Sequence, residues 1–172
     1  MDASRIIGRL ANGATTLRAV ASIATTDDAR WKPAPEHWSI LEICCHLLDE
    51  EREDFRVRIK STLEDPTRAW PTLQLDQVAE KRGYAQRDLA STLDEFVRER
   101  AASVEWLRSL RSPDWTAAYV HPKFGPLSAG MLLASWAAHD ALHMRQIAKR
   151  LHGLAARDGA PYSIAYAGDW TA

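Results

Sequence analysis

Two histidines four residues apart, His139 and His143, share one face if their segment is helical. Their β-carbons then lie about 6 Å apart and both imidazoles can reach one cation. On spacing alone, packing or surface histidines are the favoured reading of the pair. A third histidine, His46, lies seven residues beyond a helix-start signal at Ser39, while His143 lies ten residues before Gly153. If the two helices pack antiparallel, these positions fall at similar heights. Three neutral imidazoles from two facing helices can hold a divalent ion and leave coordination positions open, which is the arrangement of a catalytic site and not of a closed structural one. The acidic run Asp49, Glu50, Glu51, Glu53, Asp54 follows His46. It reads either as a solvated face or as a source of one carboxylate, from Asp49, Glu50 or Glu51, that orients a ligand histidine or acts on metal-bound water. Asp140 points a quarter-turn away from His139 and is expected to be a buried structural partner. His37, His121 and His152 fit loop or helix-end roles, and Trp31, Trp38, Trp106 and Trp136 fit core or site walls. A third reading, a bundle whose histidines are only hydrogen-bonded, also stays open at this point.

Four amphipathic helices are expected to position these groups. Ile6, Ile7, Leu10, Ala14, Leu17, Val20 and Ala21 recur at three and four, which predicts a helix over 4–24. Pro33 and Pro35 predict a loop after it. Ser39 and Glu42 form a capping box with Trp38 and Ile43 at the staple positions, and apolar residues continue a second helix over 40–63. The connection 64–86 contains Pro66 and Pro71, with a short helical piece expected between Leu75 and Lys81. A third helix is expected over 87–111. Pro113, Pro122, Gly125 and Pro126 mark a loop, and Ser128 caps a fourth helix over 129–152 that Gly153 would stop. The segment 154–172 is expected to be an irregular tail.

The long connection can return the chain the length of a helix, so the second and third helices can run parallel. The expected fold is all-α: a single-domain, up-down-down-up four-helix bundle with a long crossover between the second and third helices. In it the 26–38 loop, the end of the crossover and the tail gather at one end, where Trp31, Trp38 or Tyr162 would wall a pocket beside the histidines. Cys44 and Cys45 are adjacent, which disfavours a bond between them and suits packing as reduced thiols.

The 172 residues are 46% hydrophobic and 26% charged, with a formal net charge of -1. That is the balance of a globular domain with no basic field for phosphates, so nucleic acid is not an expected partner. No run is long enough to span a membrane and no leader is evident, so a cytoplasmic location is expected. Glycine-rich phosphate loops, G-x-S-x-G and H-E-x-x-H motifs are absent from the sequence.

The stretch Trp38-Ser-Ile-Leu-Glu-Ile-Cys-Cys-His46-Leu-Leu-Asp49-Glu-Glu51 resembles the W-S-x-x-E-x-x-x-H-L-x-D-x-E segment of the DinB-like superfamily, the YfiT-like metal-dependent hydrolases. His121-Pro-Lys-Phe-Gly-Pro-Leu-Ser followed by Trp136-Ala-Ala-His139-Asp-Ala-Leu-His143-Met-Arg-Gln-Ile is similar to the end of its DinB_2 branch. The resemblance runs to about Leu151 and fills all three ligand positions. It implies His46, His139 and His143 as ligands to nickel, zinc or iron, and a bundle that is often a homodimer. It further implies a metal-dependent enzyme acting on a small molecule, by thiol-dependent transfer with a low-molecular-weight thiol or by hydrolysis. The alternative is a non-catalytic metal or small-molecule binding protein, since family is not function.

Overall fold

The computed structural model describes residues 1–73, 77–168 and 170. Its main helices are α1 (Ala3–Ala21), α2 (Ile40–Glu53), α3 (Phe55–Glu64), α5 (Leu89–Ser109) and α6 (Ala129–Gly159), with a single turn α4 (Val78–Lys81) inside the crossover. Asp2, Ser39, Asp88 and Ser128 each cap a helix by accepting a first-turn backbone N–H. At α2 the capping box is complete. The Glu42 N–H donates to Ser39 Oγ at 3.2 Å, and the Ser39 N–H donates to Glu42 Oε2 at 2.8 Å.

Pairings between helices give their directions. Arg18 near the end of α1 bonds Asp94 near the start of α5, so those two are antiparallel. Arg52 bonds Glu95 and Glu99, and Arg56 bonds Glu99, so α2–α3 and α5 run parallel. His46 meets His143 while Phe55 stacks on Trp136, which makes α2–α3 antiparallel to α6. The molecule is thus the expected up-down-down-up four-helix bundle.

Three local expectations need correction. The second helix is not continuous over 40–63, because Asp54 leaves helical geometry (φ -110, ψ -96) and divides it into α2 and α3. Hydrogen bonding carries across the break, with Asp54 N–H on Glu50 O and Arg58 N–H on Asp54 O, and no glycine or proline announces it. Second, the fourth helix does not stop at Gly153 but runs to Gly159, so the tail is irregular only beyond that point. Gly153 serves packing: a Cβ there would meet the Trp31 ring at 2.9 Å. Third, the loop before α6 holds an antiparallel hairpin, β1 (Ala118–His121) and β2 (Gly125–Ser128), closed at Gly125 with φ +72. Trp70 packs on Tyr119 there and donates from its indole to Thr62 Oγ1. The hairpin lies outside the helices and leaves the bundle unchanged. Residues 75 and 76 of the expected crossover helix lie outside the described residues, and Val78–Lys81 is helical as expected.

The core forms two apolar clusters, one around Ile40, Leu41, Leu48 and Phe96, the other around Leu10, Ile59, Leu133 and Trp136. Arg100 lies buried in the interior as well, 1% exposed. From α5 it donates to Glu51 of α2 at 2.8 Å, to the Leu10 carbonyl of α1 at 3.0 Å, and with two nitrogens to Asp140 of α6 at 2.6 and 2.9 Å. One side chain therefore ties all four walls of the bundle together.

Candidate metal centre

The antiparallel packing of α2 on α6 brings His46, His139 and His143 together, with one ligand nitrogen from each within 4.8 Å of the others. His139 Nε2 and His143 Nε2 face one another at 3.1 Å. Bonds of about 2.0–2.1 Å to a tetrahedral ion place ligand nitrogens roughly 3.3–3.4 Å apart, so small side-chain adjustments suffice. Among the described residues this is the group of histidine, cysteine and acidic side chains whose donor atoms converge in that way. Imidazole suits zinc, copper, iron and nickel.

The protonation states fit a cation. Burial holds His46 down to about 3, helped by the other two imidazoles. Burial holds His139 down to about 4, and His143 is lowered for the same reason. All three rings are therefore neutral at pH 7, as metal ligands must be. With its Nδ1 protonated, His143 donates to Gln146 Oε1 at 2.8 Å, which leaves Nε2 as the free lone pair aimed at His139. Gln146 was not singled out from the sequence, although its position three residues after His143 puts it within reach on the helix face.

Of the three acidic candidates, the fold brings two to the edge of the cluster and takes one away. Glu50 Oε1 lies 3.9 Å from His46 Nδ1. Burial and the neighbouring Asp54 carboxyl push Glu50 up to about 8, so it keeps its proton at neutral pH and shares it with Asp54. Asp49 accepts from the Tyr84 hydroxyl at 2.5 Å and pairs with Arg82 at 2.8 Å. His46, Asp49, Glu50, Asp54, Arg82 and Tyr84 surround a cavity of about 20 Å³, room for roughly one water. Glu51 points into the core, fully buried against Arg100, away from the histidines. Asp140, beside His139, is the other partner of Arg100, which is the structural role expected of it.

The walls are mixed. Trp38 lies 4.9 Å from the His46 ring and Phe55 5.3 Å from the His139 ring, while the end of the crossover contributes Val78, Arg82 and Tyr84. Tyr162 is 83% exposed and forms no wall, and Trp31 packs on α6 at Gly153 instead of beside the histidines. Cys44 and Cys45 are buried free thiols. Burial pushes Cys45 up to about 11 and Cys44 further still, so neither is a nucleophile at neutral pH. None of the helices among the described residues is long and apolar enough to cross a membrane.

Comparison with known proteins bears on the fold and the family. No curated protein matches the sequence. Among solved structures, YfiT from Bacillus subtilis superposes with a TM-score of 0.78 at 17% identity, covering 91% of this chain and 87% of that one. It is described as "a probable metal-dependent hydrolase with an unusual four-helix bundle topology", and at that identity the likeness shows the fold. The sequence itself matches the DinB_2 family profile, described as DinB superfamily, over residues 9–147, a span that contains all three histidines. The chain belongs to the DinB superfamily.

Proposed function

We propose that this chain is a metal-dependent enzyme in which His46, His139 and His143 hold one divalent cation, and that it acts on a small molecule by hydrolysis or by transfer to a low-molecular-weight thiol. The observation that carries the reading is the convergence of three neutral, half-buried imidazoles at separations that suit a single ion. When bound, such a cation supplies Lewis acidity, which lowers the pKa of water or a thiol and polarises an electrophile. The chain's own groups do the rest. Gln146 fixes the His143 ring by accepting its Nδ1–H. Glu50, holding a proton it shares with Asp54, is placed to deliver or take up a proton beside His46. Trp38 and Phe55 screen the imidazoles from solvent on two sides.

The test is to load the purified chain with zinc or nickel. It is then assayed against activated esters, and against a generic aromatic electrophile with cysteine, glutathione or N-acetylcysteine as thiol. Turnover that His143→Ala abolishes and Glu50→Gln lowers, both variants being folded, supports the reading. Equal rates with and without His143, or no turnover with any of these, would leave a binding protein in its place.

A further inference from the structure

A second cavity, of about 220 Å³, lies between the 31–38 loop and the second half of α6, with Trp31, His37, Lys149, Arg150, His152 and Trp170 in its lining. Among the described residues no aspartate or glutamate lines it. Its central group is Arg150, which is only 5% exposed and gives its Nε–H to the Trp38 carbonyl at 2.7 Å. Among the described residues that carbonyl is its one partner, and neither Arg150 nor Lys149 pairs with a carboxylate. The contrast with Arg100 is direct, since that buried guanidinium meets two carboxylates. Two acids of the neighbouring elements are engaged elsewhere: Glu42 is held by Lys32 at 2.7 Å and by the Ser39 N–H, and Asp28 is held by Arg157 at 2.6 Å. Burial lowers Arg150 from its ordinary range, with no carboxylate to offset it. A guanidinium taken out of water without a counter-charge is unfavourable unless an anion completes it.

We propose that this cavity binds a small organic anion, with the Arg150 guanidinium receiving its carboxylate or phosphate group, Lys149 adding charge at the rim, and the Trp31 and Trp170 indoles flanking its apolar part. Arginine's planar donors suit either oxyanion. The volume is below the range of roughly 300–1,000 Å³ usual for drug-sized ligands, so the occupant is compact. The site is separate from the histidine cluster, because none of the three histidines lines it and Trp38 stands between them, its ring on His46 and its carbonyl on Arg150. It does not depend on the metal reading.

The full chain, stripped of metal with chelator and held in low-salt buffer free of chloride, is titrated by calorimetry with inorganic phosphate and, separately, with benzoate. Amide chemical shifts are followed in parallel. The expected result is saturable binding of one anion per chain, with shift changes centred on residues 31–38 and 149–153. Arg150→Gln weakens it at least tenfold and Lys149→Ala weakens it several-fold at unchanged melting temperature. Tighter binding of benzoate identifies an aromatic or apolar carboxylate as the ligand class, and tighter binding of phosphate a phosphorylated one. If Arg150→Gln does not fold, Lys149→Ala and the shift map decide. Absence of saturable binding by either anion, indifference to the substitutions, or shift changes centred on His46, His139 and His143 would overturn the proposal.

Discussion

Replacing Arg100 by methionine removes the group that joins the four walls of the bundle and strands two carboxylates. Glu51 is 0% and Asp140 3% exposed, and Arg100 supplies the counter-charge to both. Breaking a buried ion pair by deleting one partner costs about 3–5 kcal/mol. An independent route gives a similar figure. A stranded carboxylate can escape by taking up a proton, which at pH 7 costs about 1.4 kcal/mol for each of the roughly 2.5–3 units above its ordinary pKa, or about 4 kcal/mol per group. The expected loss at pH 7 is therefore about 3–5 kcal/mol, with about 8 kcal/mol as the ceiling if both groups must be neutralised. A carboxyl raised in the folded state binds more protons there than in the unfolded chain, so stability falls as pH rises and recovers as pH drops. At pH 5 the same proton uptake costs only about 1 kcal/mol per group. Urea unfolding of the metal-free protein at pH 7 and pH 5 should show the gap between wild type and Arg100→Met shrinking by more than half. A melting-temperature loss of roughly 8–16 °C at pH 7 accompanies about 4 kcal/mol in a chain of this size. The triple Glu51→Leu, Arg100→Met, Asp140→Leu, which removes all three charges of this network, should regain most of the loss. A pH 7 deficit under about 1 kcal/mol, or one equal at both pH values, would refute the reasoning.

Other consequences are open to the same methods. Gln146→Leu removes the acceptor that fixes the His143 ring and should weaken zinc affinity about 10–100-fold, measured by competition with a chromophoric chelator, with little change in stability. Gly153→Ala gains helix propensity but drives a Cβ to 2.9 Å from Trp31. The clash, about 1–3 kcal/mol, should outweigh the propensity gain of at most about 1 kcal/mol, and in a Trp31→Leu background the same substitution should stabilise. His46 and His139, held down to about 3 and about 4 against an ordinary 6.5, bind protons less readily folded than unfolded. Their contribution to metal-free stability is complete above pH 6.5 and is lost as pH falls through the window down to about 4 for His139 and about 3 for His46. Glu50, raised to about 8, works in the opposite sense. The measurement is therefore the urea midpoint from pH 7 to pH 5 in Glu50→Gln, which should fall, and fall less once His46→Leu is added.

The parts of this molecule that could be read from sequence are those where one local rule acts alone. The capping box at Ser39 and Glu42 fixes the start of α2, and with it the height of His46 on its helix. The spacing of His139 and His143 needs only that α6 be helical, and antiparallel packing then supplies the third imidazole. At Gly153 a local rule is not enough. Gly153 sits where a C-terminal stop is common, yet its lack of a side chain serves the close approach of Trp31, a tertiary fact. The break at Asp54 likewise has no local signature. The burial of Glu51 against Arg100 does have a signature, spread over three helices. Phe96, Arg100 and Val104 lie on one stripe of α5, Leu47 and Glu51 on one stripe of α2, and Trp136 and Asp140 on one stripe of α6. Three core faces that each carry one charge, with opposite signs, are the pattern of a buried ionic network.

The central claim is that three imidazoles from two helices make one metal site, and metal stoichiometry tests it most directly. The untagged protein, stripped with chelator and dialysed against a small excess of zinc or nickel, is analysed for bound metal beside His46→Ala, His139→Ala and His143→Ala. The account predicts one ion per chain for the wild type and a sharp loss in each variant, with folding intact by circular dichroism. Retention of a full equivalent by His46→Ala, the one ligand that comes from the facing helix, would contradict it.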